Sequence, residues 1–60
     1  MSTPDEVIMI SAETAHESGD MKELIKYIKL YKNIANRETI TIAMNLINEL
    51  ASEELENMTI

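Results

Sequence analysis

Thr3-Pro4-Asp5-Glu6-Val7-Ile8-Met9-Ile10-Ser11 decides the fold, because it can be read as a strand or as the opening of a helix. The clustered Val and Ile residues favour a strand over residues 6–11. The chemistry ahead of them favours a helix. Thr3 is a good N-cap, Pro4 occupies the first helical position where its missing N–H is no loss, and Glu6 stands three residues after the cap. Asp5 and Glu6 also complement the positive end of the helix dipole. Gly19, the only glycine, follows Ser18, where a left-handed residue would close that helix. The cap chemistry therefore predicts a helix over about residues 4–18.

Beyond Gly19, Asp20 is placed to cap a second helix over about residues 21–35, with Glu23 completing a capping box. Leu24, Ile28, Tyr31 and Ala35 recur at helical spacing, flanked by Tyr27 and Ile34, while Lys22, Lys26, Lys29 and Asn33 take the opposite face. Ile25 and Leu30 widen the apolar arc beyond what one neighbouring helix covers. Asn36 is a plausible N-cap for a third helix over about residues 37–57. Its apolar side runs through Ile40, Ala43, Met44, Ile47, Leu50, Ala51, Leu55 and Met58; Leu46 extends that arc and Ile42 lies off it. Thr39–Ile42 alternates like a strand but is too short to outweigh the helical pattern around it.

The chain has 60 residues and no cysteine. A domain of this size buries only about 60% of its unfolded surface, and its core alone contributes no more than about 3–5 kcal/mol. Disulfides are excluded, and the single imidazole, His16, predicts no metal site and no cofactor. Self-association is the remaining compensation. The expected fold is thus all-α, a two- or three-helix antiparallel bundle completed by homo-oligomerisation as a dimer or larger assembly. In it the helix over 21–35 pairs with that over 37–57 as a hairpin, and the segment before Gly19 is the third helix. The longest apolar run, Val7–Ile10, is far short of a membrane span. A start without a basic stretch ahead of an apolar one predicts no signal peptide, and with the lack of cysteine points to a cytoplasmic setting.

Charge is unevenly laid out. Residues 1–20 carry Asp5, Glu6, Glu13, Glu17 and Asp20 with no base, for −5. Residues 21–37 hold all five bases, Lys22, Lys26, Lys29, Lys32 and Arg37, against Glu23, for +4. Residues 38–60 hold Glu38, Glu49, Glu53, Glu54 and Glu56, for −5, which leaves −6 in all. A basic segment between two acidic arms favours neighbours of opposite sign within the chain or across a dimer. Exposed pairs contribute only about 0–1 kcal/mol each, so they select register without creating the fold.

Catalysis is not expected. His16 has a carboxylate at Glu13 and another at Asp20 within helical reach but no nucleophile, and Glu53 and Glu54 are adjacent and diverge on a helix. One alternative is a small nucleic-acid-binding regulator using Lys22, Lys26, Lys29 and Lys32 on the central helix, with Tyr27 and Tyr31 one turn apart and Arg37 extending the patch, although the net charge opposes it. The chain also departs from the ribbon-helix-helix repressor plan. The stretch from Ala12 to Gly19 is too long, and a strand at Val7–Ile10 would carry no base. The acidic rows Glu13, Glu17, Asp20 and Glu49, Glu53, Glu56 suggest an alternative, a DNA mimic that blocks a nucleic-acid enzyme. The expected function is a small regulatory protein–protein interaction module, an adaptor or inhibitor of the kind found in bacteria and their phages. It would present an amphipathic helix surface to a larger protein. The candidate partner-binding residues are Tyr27, Tyr31, Lys22, Lys26, Lys29, Leu46 and Leu50.

Overall fold

The computed structural model describes residues 2–58, in which Pro4–Ser18 form α1, Lys22–Tyr31 form α2 and Arg37–Met58 form α3, with no strand among the described residues. Both stretches that could have paired as strands are helical. At the start of α1 the Thr3 hydroxyl oxygen accepts from the Glu6 backbone N–H at 3.2 Å, satisfying one of the donors a helix start leaves free. At its end Gly19 adopts φ 79° and donates its N–H to the Ala15 carbonyl. Thr41 is reconciled with a helix in the same economical way: its hydroxyl donates to the Arg37 carbonyl at 2.9 Å.

The turn between α1 and α2 departs from the expected capping box. The Asp20 carboxylate does accept from the Lys22 N–H at 3.0 Å, but the Asp20 N–H donates to the Ser18 hydroxyl instead of to Glu23. Met21 is the residue at the cap and supplies no side-chain bond. The second helix is also shorter than its apolar pattern predicts. It ends at Tyr31, whose carbonyl accepts from both Ile34 and Ala35, and the chain turns there. That turn delivers the Asn36 N–H to the Asp5 carboxylate, 2.8 Å away, at the opening of α1.

This contact sets the direction of α3. Asn36 lies beside the start of α1, and Glu54 faces the hollow around Gly19 and Asp20 at its end. α3 therefore runs parallel to α1, with α2 antiparallel between them in sequence. Helix α1 packs against both neighbours, whereas α2 and α3 barely touch. The expected hairpin of the second and third helices is consequently not the main seam, and the segment treated as the accessory helix is the hub. The buried positions of α1 explain this. Ile8 supplies bulk, while Ser11, Ala12 and Ala15 are small enough to let two helices approach.

The buried core comprises Ile8, Ala12, Ala15, Leu24, Ala43 and Leu50, with Tyr27, Ile28, Tyr31, Ile40, Leu46 and Ile47 packed half-buried around it. No described helix is long and apolar enough to cross a membrane. The molecule is elongated, 43 × 18 × 15 Å. Its 22-residue α3 outruns the 15-residue α1, so the turn after Glu54 projects beyond the bundle.

Candidate interaction surfaces

A small core leaves much apolar surface uncovered. Among the described residues nine large hydrophobic side chains are exposed, from Ile25 at 36% to Met58 at 79%. Isolated exposed apolar residues are ordinary, but here they gather into faces.

The first face is a groove of about 590 Å³ along the seam of α1 and α3. Met9 and Ala12 from α1 and Ile42 and Leu46 from α3 give it apolar walls, while Glu13, Glu17 and Glu49 give it an acidic rim, joined by His16 and Asn45. The parallel course of the two helices creates it. On α1, Met9, Glu13 and His16 recur at spacings of four and three, and on α3, Ile42, Asn45 and Glu49 recur at three and four, so one side of each helix faces the same hollow. The sequence showed two acidic rows; only the helix direction brings part of each to one place. No three His, Asp or Glu side chains among the described residues are arranged to hold a metal ion.

The second face is the outside of α2, where Lys22, Lys26 and Lys29 surround Ile25 and Leu30. Its inner face is fixed by Leu24, fully buried, and by Tyr27 and Tyr31, whose rings stack at 6.1 Å with planes 4° apart. The Lys26 ammonium lies 5.4 Å from the centre of the Tyr27 ring, an arrangement that steadies the lysine along the helix. With α2 packed mainly against α1, Leu30 stays 61% exposed and Ile25 36% exposed.

The third face is a stripe on α3. Met44, Leu55 and Met58 lie on one side of the helix at spacings of eleven and three and are 53%, 63% and 79% exposed. They belong to the apolar pattern of α3, yet the core takes in Ile40, Ala43, Ile47 and Leu50 from it and leaves these three exposed.

The residues singled out from sequence are therefore divided among different environments. Lys22, Lys26 and Lys29 share the outer face of α2, Tyr27 and Tyr31 rest half-buried against the core, and Leu46 lines the α1–α3 groove. Leu50, at 8% exposure, lies in the core. Met9, Ile42 and Met58 were not among the candidates, and Glu13 was one only as part of an acidic row. Their signal was available only as ordinary helical spacing, which does not say which stripe a neighbour covers. Comparison with protein-family models, with curated proteins and with solved structures finds no match to this chain.

Proposed function

We propose that this chain is a small regulatory interaction module, an adaptor or inhibitor that lays the exposed stripe of α3 into an apolar groove on a larger protein. The observation that carries this reading is the exposure of Met44, Leu55 and Met58 on a helix whose end reaches past its own bundle. An amphipathic helix of this kind docks through apolar anchors spaced by one or more turns, with a charged rim that sets orientation. Here Glu54 and Glu56, one on each side of the stripe, supply the rim. A cytoplasmic setting and self-association belong to the same reading.

The alternative of a DNA mimic is less well matched. Of the carboxylates that would imitate phosphates, Glu13, Glu17 and Glu49 rim the apolar walls formed by Met9, Ile42 and Leu46. Such a groove suits a cationic helix with an apolar ridge better than a basic nucleic-acid cleft.

The test is capture from a lysate of the native host by the immobilised full chain, wild type beside a Leu55→Ser/Met58→Ser variant of equal helicity. The expected result is a larger protein retained in stoichiometric amount by the wild type and lost by the variant. Equal retention by both, or none by the wild type, contradicts the reading.

A further inference from the structure

We propose that copies of this chain associate head to tail, the outer face of α2 of one copy seating in the α1–α3 groove of the next. The two surfaces are complements in sign and in chemistry. The groove has Met9, Ile42 and Leu46 within a rim of Glu13, Glu17 and Glu49, and the α2 face has Ile25 and Leu30 among Lys22, Lys26 and Lys29. Their lengths also agree. Met9 to Glu17 on one side and Lys22 to Leu30 on the other each cover nine residues, about 12 Å of helix from first to last. The exposed apolar pair on α2 fills the groove while the lysines meet the carboxylates along its rim.

The geometry makes the contact heterologous. The two surfaces share no residue, so one copy can donate its α2 face and receive another in its groove at the same time. A contact of this kind closes into a ring or continues as a chain, and does not stop at a two-fold dimer by itself. The net charge of −6 on every copy opposes association. At physiological ionic strength, however, charges more than about 8 Å apart are largely screened, whereas those in contact across the groove are not. Local complementarity therefore outweighs the overall repulsion, and the apolar walls supply the attraction that charge alone would not. This inference is independent of docking on a larger protein, which uses a different face.

A charge-swap experiment on the full chain separates this contact from any other. One variant carries Glu13→Lys and Glu17→Lys, the other Lys26→Glu and Lys29→Glu. All four positions are exposed, and helicity by circular dichroism confirms that each variant folds. Sedimentation of the wild type is expected to give a mass that rises with concentration beyond that of a dimer. Each variant alone should associate at least about 100-fold more weakly, because like charges then face each other across the contact. An equimolar mixture should regain association, since each altered face again meets its opposite. A Thr14→Lys/Asn48→Lys control, at exposed positions that line neither surface, should leave the wild-type behaviour unchanged. A wild type that stays monomeric, an assembly that stops at two copies, association that survives either variant, or a mixture that fails to regain it overturns the proposal.

Discussion

The backbone N–H of Asn36 donates to the carboxylate of Asp5 at 2.8 Å, joining residues 31 apart in sequence. It is the polar tie that places the start of α3 beside the start of α1. Because the donor is a main-chain group, its position depends on the turn after Tyr31 and not on a flexible side chain. Substitution of Asp5 by Ala should lower stability by about 1–2 kcal/mol, the range for losing a hydrogen bond to a charged acceptor near the surface. Asp5→Asn keeps an acceptor oxygen and should lose less. Urea unfolding followed by circular dichroism reads both.

Gly19 makes a separate prediction. Its φ of 79° is strained for any side chain, yet a Cβ placed there would meet nothing within 4 Å. The penalty for Gly19→Ala is therefore conformational and not steric, about 1 kcal/mol, and Gly19→Asn should recover part of it because Asn tolerates the left-handed region. Thermal unfolding of the two variants should rank them in that order. Equal stability of wild type and Ala variant would contradict the assignment.

Ile8 and Leu24 are fully buried, the largest side chains in that state. Truncating a buried Ile or Leu to Ala costs about 2–5 kcal/mol, which approaches the whole stability available to a domain this small. Ile8→Ala and Leu24→Ala should each leave a chain with strongly reduced helicity at room temperature. Retained helicity with a cooperative melt in either variant would mean that the hub role of α1 is overstated.

Leu55→Ser and Met58→Ser should behave in the opposite way. These side chains are 63% and 79% exposed on the projecting turns of α3, so unfolding free energy should change by less than about 0.5 kcal/mol. A much larger loss measured in dilute chain would show that they pack within the monomer.

Much of this arrangement was legible in the sequence. Thr3, Pro4 and Gly19 marked both ends of α1, since cap chemistry is local and survives into the fold unchanged. The periodicity of Leu24, Ile28 and Tyr31 and of Ile40, Ala43, Ile47 and Leu50 identified the inner faces of α2 and α3. The role of α1 was not legible, because Ser11, Ala12 and Ala15 are too small and too weakly apolar to advertise a doubly packed helix. Nor was the early end of α2. Ile34 and Ala35 continue the apolar spacing, yet their N–H groups close a turn on the Tyr31 carbonyl, and the Asn36–Asp5 bond that follows the turn is long-range and encoded by no local pattern. The groove followed from the same gap, since spacing gives the stripes on each helix and only the parallel course of α1 and α3 decides which of them meet.

The lone chain leaves specific apolar side chains to be covered by another polypeptide. Methyl NMR with a soluble paramagnetic agent measures this residue by residue. In dilute chain the methyl signals of Ile25, Leu30, Ile42 and Leu55 should broaden strongly while those of Ile8 and Leu24 stay sharp, and Ile25, Leu30 and Ile42 should become protected as concentration rises. Uniform protection of all six residues in the dilute monomer would contradict it.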